Sequence, residues 1–205
     1  MQNNEFSSDH LDVLKELMNI AMGNATANIA DLLQAFGTMH IPHLQISDVD
    51  GLKNYIKMTI SSEDEYYVTK QLFGGKIGGE FIFLVNKESA INLGNYLYDT
   101  VKVSDADIMD AVIELTNILS STTIGRLTDE LNTKVQFFAP YTEVVSGDPL
   151  ISEEETLNYH KIIIISTVLE FQKHKISGQI FILSRDEMII SLRELIDQKL
   201  EELYS

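Results

Sequence analysis

The sequence predicts an α+β fold in which two halves on one plan, each opened by a long helix, pack their helices on a shared β-sheet. Three observations lead there. Two segments, Asp9 to Ala35 and Asp105 to Leu131, carry apolar residues at the period of an amphipathic helix lying on a core. Marked polar residues recur between those segments at a constant spacing of 98. Late in each half the run Lys76-Ile77-Gly78-Gly79-Glu80-Phe81-Ile82-Phe83-Leu84 is echoed by Lys175-Ile176-Ser177-Gly178-Gln179-Ile180-Phe181-Ile182-Leu183, now 99 apart. A chain of 205 residues can bury a substantial core, so 1–205 reads as one domain with internal repeats at about 9–104 and 105–205.

In the first helix Leu11, Leu14, Met18, Ala21, Ala25, Ile29 and Leu32 fall on one stripe at about 100° per residue. Glu16 and Asn19, three apart, share the opposite, solvent-facing side. One turn further along that side come Gly23, Ala27 and Ala30, which leave the outer face nearly bare and suited to a docking partner. Phe36-Gly37 reads as the helix stop, with glycine free to turn left-handed. Beyond Pro42, short extended segments are expected near Leu44 to Ile46 and Tyr55 to Ile60, the second from its alternation. Tyr66 to Leu72 and Ile77 to Val85 form a hairpin across Phe73-Gly74-Gly75-Lys76, and a helix follows from about Lys87 to Tyr98.

The second half repeats the order. Ile108, Val112, Leu115 and Leu119 make the core stripe of its helix, Glu114 and Asn117 lie opposite, and Ser121 and Gly125 take the places of Gly23 and Ala27. Val135 to Phe138 and Tyr141 to Val145 are extended around Pro140. A polar acidic loop runs from Ser146 to Thr156, Tyr159 to Phe171 is a β-branched strand, and a final helix spans about Asp186 to Leu203.

A net charge of -16 disfavours a nucleic-acid surface. The absence of cysteine removes disulfides, thiolate catalysis and thiolate zinc sites, and fits a cytoplasmic protein. Met1 to Ser8 lacks the features of a signal peptide, and the apolar run around Ile162 to Ile165 is far too short to span a membrane. Other constellations have plain structural readings: the glycines around Lys76 lack the spacing of a P-loop and suit a turn. Asp48-Val49-Asp50-Gly51 opens like a calcium loop without its later ligands, and His40 and His43 have no accompanying carboxylate set. No Gly-x-Ser-x-Gly elbow occurs, and no metal or cofactor set of the chain's own is expected.

What remains is the repeated polar set. Asp12, Glu16, Asn19 and Pro42 recur as Asp110, Glu114, Asn117 and Pro140, each 98 later, in the order Asp, three residues, Glu, two residues, Asn, twenty-two residues, Pro. This set resembles the active-site motif of the CheC/CheX/FliY phosphatases of bacterial chemotaxis. The run from Glu16 to Ala25 is similar to that family beyond the motif. Two copies in 205 residues look most like a stand-alone CheC, with no room for the flagellar-switch domain of FliY, whereas CheX carries one motif per chain. The resemblance implies a CheC-like, pseudo-two-fold fold. It also implies hydrolysis of the aspartyl phosphate of a CheY-type receiver domain, whose own Mg²⁺ and Lys complete the site. Asn19 and Asn117 would orient the attacking water, and Glu16 and Glu114 would grip the receiver's Lys. Asp12 and Asp110 are read as supports at the helix start, and Pro42 and Pro140 as shaping the entry into the next strand. CheD, the receptor deamidase, is a further partner implied by resemblance alone. Two other readings keep the fold: a non-catalytic binding module for CheD or a receiver, and a phosphatase for a response regulator outside chemotaxis.

Overall fold

A computed structural model describes residues 6–40, 42–61, 64–146 and 162–204. Helix α1 runs Ser8–Leu33, followed by strands β1, Thr38–Met39, and β2, His43–Ser47. Next come α2, Val49–Thr59, the strands β3, Glu65–Gly75, and β4, Gly79–Asn86, and α3, Lys87–Leu97. The second half opens with α4, Asp105–Glu130, then β5, Val135–Phe137, and β6, Tyr141–Ser146. It continues with β7, Ile162–Phe171, a 3₁₀ turn at Gln172–His174, β8, Ile176–Arg185, and α5, Asp186–Tyr204. The predicted α+β architecture, two long helices on one sheet, is what is found.

Both long helices begin at a serine that closes a capping box. Ser7 accepts from the backbone N–H of His10 and donates its own backbone N–H to the His10 ring, and Ser104 and Asp107 do the same for α4. Their inner faces follow the predicted stripes: Leu14, Met18, Ala21, Ala25 and Ile29 on α1, and Ile108, Val112, Leu115 and Leu119 on α4, are buried. Leu32 departs from its stripe. It is 37% exposed, and Leu33 takes the core place because the helix stops there, one residue before Gln34 turns left-handed. The cap is therefore Gln34, at φ 44°, and not Gly37. Glycine is required at 37 for a different reason: a Cβ there would lie 2.4 Å from the Phe171 ring.

The sheet runs β1-β7-β8-β4-β3-β5, with β2 also on β7 and β6 also on β3. This order is palindromic when first-half strands are exchanged for their second-half counterparts, with β4 and β8 paired at its centre. Each half therefore lends its short strands to the other: β1 and β2 pair with β7, and β5 and β6 pair with β3. The predicted hairpin is present, with Phe73 opposite Gly79 as its last pair.

Alternate residues of the central strands feed two cores. Phe81, Phe83, Ile163 and Ile165 join the layer under α1, α3, α4 and α5. Ile82, Leu84, Ile162 and Ile164 pack on the other face against Leu52 and Ile56 of α2. Burial on both faces explains the unbroken isoleucine run. Helix α2 corrects the strand expected at Tyr55 to Ile60. The alternation there is incidental, since Met58 is 86% exposed while Leu52 and Ile56, four apart, are buried at helical spacing. Asp48 starts that helix by accepting from Gly51 N–H at 2.8 Å, so the calcium-like tetrapeptide is a cap. The expected acidic loop after Ser146, and the start of the strand at Tyr159, lie outside the described residues.

Candidate functional site

The geometry of α1 fixes where its polar pair sits. With Leu14, Leu17, Met18 and Ala21 turned into the core, Glu16 is exposed and Asn19 lies half-buried at the edge of the same outer face. Three residues apart on a helix, their Cβ atoms stand about 5–6 Å apart, close enough for both side chains to meet one partner group. Neither has a hydrogen-bond or ion-pair partner among the described residues. Beyond Asn19 the face stays low: Gly23 and Ala27 are exposed, and a Cβ built on Gly23 would meet nothing within 4 Å. The bare face ends in an open cleft of about 440 Å³ lined by Gly23, Thr26, Ala27, Ala30, Phe36 and Met39, among others. Phe36 is 87% exposed at its rim.

On α4 both members of the second pair, Glu114 and Asn117, are exposed, with exposed Ser121 and half-buried Gly125 beyond them. A Cβ on Gly125 would also meet open space. The two helices pack together, and Asn28 donates to Thr122 Oγ1 across the joint at 3.1 Å. One difference separates the sites. Asn117 Oδ1 accepts from Gln71 Nε2 at 3.1 Å, and Gln71 reaches up from β3 inside the core, only 5% exposed. Neither Gln71 nor its other contacts were among the residues the sequence singled out. A polar residue following Thr69 and Lys70 on a strand gave no sign of a side chain 46 residues away in the chain.

Tyr98, just past α3, was also not anticipated. Its phenol is held above its usual 10.0, first by partial loss of water around it and then by the carboxylates of Asp110, Asp107 and Glu114. Asp110 thus belongs to the electrostatic surroundings of the second site. Asp12 and Asp110 lie near the helix starts, one turn before Glu16 and Glu114, while the first turns themselves carry Asp9 on α1 and Asp105 and Asp107 on α4. Pro42 immediately precedes β2 and Pro140 immediately precedes β6, each at a strand entry.

The histidines have other occupations. His40 faces Glu170 at 3.7 Å, and His43 stacks on Tyr55 at 4.9 Å between ring centres. Among the described residues no group of three or more histidines and carboxylates is disposed to hold a metal. No described helix is long and apolar enough to cross a membrane.

Each polar set presents a carboxylate and a carboxamide side by side. A carboxylate can bind a cation, and a neutral carboxamide can donate and accept hydrogen bonds beside it without changing charge.

Residues 10–37, which cover α1 and its exit, match the sequence model of the CheC-like family. No curated protein matches the sequence at a significant level. Solved structures do match in fold. FliY of Thermotoga maritima superposes with a TM-score of 0.74 at 14% identity, over 95% of this chain and 98% of that one. CheX from Vibrio vulnificus gives 0.57 at 14% identity, over 82% and 97%. FliM in a FliG–FliM complex from H. pylori gives 0.62 at 13% identity, over 92% and 100%. The stretch around the first helix thus matches the CheC-like family model, and the chain as a whole shares the fold of FliY, CheX and FliM along nearly its whole length.

Proposed function

We propose that this chain acts in chemotaxis as a phosphatase of the aspartyl phosphate on a CheY-type receiver domain, using Glu16 and Asn19 at one site and Glu114 and Asn117 at the other. The observation that carries the reading is the pair of Glu/Asn sets on the outer faces of two long helices, each followed by a face with room for a second protein.

In this mechanism the receiver brings the acyl phosphate, its Mg²⁺ and a lysine. The glutamate takes the ammonium, which sets the register of docking. The asparagine then stands beside the phosphoryl group and holds a water in line with the bond to be broken. The water oxygen attacks phosphorus, the P–O bond to the receiver's aspartate breaks, and the proton leaves with inorganic phosphate. Phosphoryl transfer depends mainly on positioning and on charge already neutralised by the metal, so no covalent intermediate on this chain is required. Each asparagine would contribute on the order of a hundredfold at its site. CheD is a second proposed partner, resting on family resemblance.

A second reading, a binding module without catalysis, is favoured by the fold shared with FliM, which was crystallised in a complex with FliG. Decay of a phosphorylated, Mg²⁺-loaded receiver separates the two. Acceleration that disappears in the Asn19→Ala, Asn117→Ala double variant supports the phosphatase. Tight binding with an unchanged decay rate supports the module.

A further inference from the structure

We infer that Gln71 is a positioning residue that fixes the orientation of the Asn117 carboxamide and so makes the second site pre-organised where the first is not. The inference rests on the proposed roles of the two asparagines, and it names what distinguishes their sites.

The polarity of a short chain of groups determines the orientation. Gln71 Nε2 donates to the Phe138 backbone oxygen at 3.0 Å and to Asn117 Oδ1 at 3.1 Å, and Gln71 Oε1 accepts from the Ser120 hydroxyl. A backbone carbonyl only accepts, so the glutamine must turn its nitrogen toward Phe138. Its second N–H then requires an acceptor, which makes the inner atom of Asn117 the oxygen. The outer atom is Nδ2, whose N–H groups have no acceptor among the described residues. Site two therefore offers fixed donors to a phosphoryl oxygen or to the oxygen of the attacking water, with one lone pair of Oδ1 still free.

The first half lacks this device. The pairs His43 with Ser166 and Tyr141 with Lys70 show which positions correspond, since Tyr141 lies 98 after His43. Thr167 therefore stands where Gln71 stands. It also donates to a backbone oxygen, that of His40, at 2.6 Å, and His40 lies 98 before Phe138. A threonine hydroxyl has one proton, and here it is used. The counterpart of Ser120, 98 earlier, is Met22, buried and apolar. Asn19 is left with nothing to orient it and must be ordered when a receiver docks.

The test uses the full chain and two readouts. Side-chain ¹⁵N relaxation is measured first, without substrate. Asn117 is expected near the rigid limit, with an order parameter of about 0.8 or more, and Asn19 below about 0.6. Equal values would overturn the inference whatever the activity. The second readout is kinetic. Gln71→Thr installs the residue of the first half, which keeps a donor for the Phe138 carbonyl. In the Asn19→Ala chain, where only site two acts, this change is expected to lower kcat by roughly tenfold to a hundredfold with little change in KM. An unchanged kcat, a shift in KM alone, or an equal fall in the Asn117→Ala chain would overturn it. Should Gln71→Thr not fold, Ser120→Ala in the Asn19→Ala chain is expected to cost several-fold in kcat, and no loss would count against the network. If wild type does not accelerate decay at all, the phosphatase reading fails, and the relaxation data alone decide the role of Gln71.

Discussion

Replacing Gly23 by leucine should make the protein more stable and the first site less active. Gly23 lies in the middle of a 26-residue helix, is exposed, and has open space where a Cβ would go. A glycine inside a helix costs about 0.5–1 kcal/mol relative to residues such as alanine or leucine. With no clash to offset that gain, Gly23→Leu should stabilise by about the same amount. For a chain of this size that corresponds to a rise in Tm of about 1–4 °C. The new side chain would stand one turn beyond Asn19, on the face where the receiver is proposed to approach and at the mouth of the cleft under Phe36. In an Asn117→Ala background, so that only the first site contributes, decay of a phosphorylated receiver should slow at least tenfold at low receiver concentration. A thermal melt and a phosphate-release assay on one preparation give both numbers. A stabilised protein with an unchanged rate would refute the reasoning, because it would show that nothing comes close to that face during turnover.

The remaining predictions concern charge, polarity, titration and capping. Glu16→Gln and Glu114→Gln should raise KM for the receiver more than they lower kcat, and the difference should shrink above about 0.15 M salt, where exposed charges are screened within about 8 Å. Asn117→Asp in the Asn19→Ala chain should be as inactive as Asn117→Ala in a phosphate-release assay, since an outward carboxylate oxygen replaces the N–H donors. The phenols of Tyr66, Tyr67 and Tyr98 titrate above their ordinary 10.0 in the folded chain, each chiefly through loss of water around it. An unfolded tyrosine then gives up its proton first, so stability should fall as pH rises from 10 through the folded values, and Tyr98→Phe should flatten that fall in a denaturant titration. Ser104→Ala removes a closed capping box and should cost about 1 kcal/mol, seen as a loss of about 2–4 °C in Tm.

The placement of Glu16, Asn19, Glu114 and Asn117 was legible because it follows from period alone. Once Leu14 and Met18, or Val112 and Leu115, face inward, residues at those positions must face out. The strand hairpin and the closing helices were equally visible in their alternation and punctuation. What failed had local causes. Six residues of alternation at Tyr55 to Ile60 imitate a strand, while the helix that forms there is selected by its Asp48 cap and by the second face of the sheet, a surface assembled from four strands. The exchange of β1, β2, β5 and β6 between halves was hidden as well, because a repeat fixes which segments are equivalent and not which of them pair. Gln71 lay beyond reach for the same reason. The exchange of Met18, Met22 and Ala25 for Thr116, Ser120 and Thr123 at equivalent buried positions of the two helices did mark the halves as unequal inside.

The most direct test of the central claim is phosphate release from a Mg²⁺-loaded, continuously phosphorylated CheY-type receiver held in large excess over the chain. The account predicts many turnovers per chain, at a rate proportional to chain concentration, retained in part by Asn19→Ala and by Asn117→Ala and lost in the double variant, which still binds the phosphorylated receiver through Glu16 and Glu114. A release rate unchanged by the wild-type chain, or one that the double variant accelerates equally well, would contradict it.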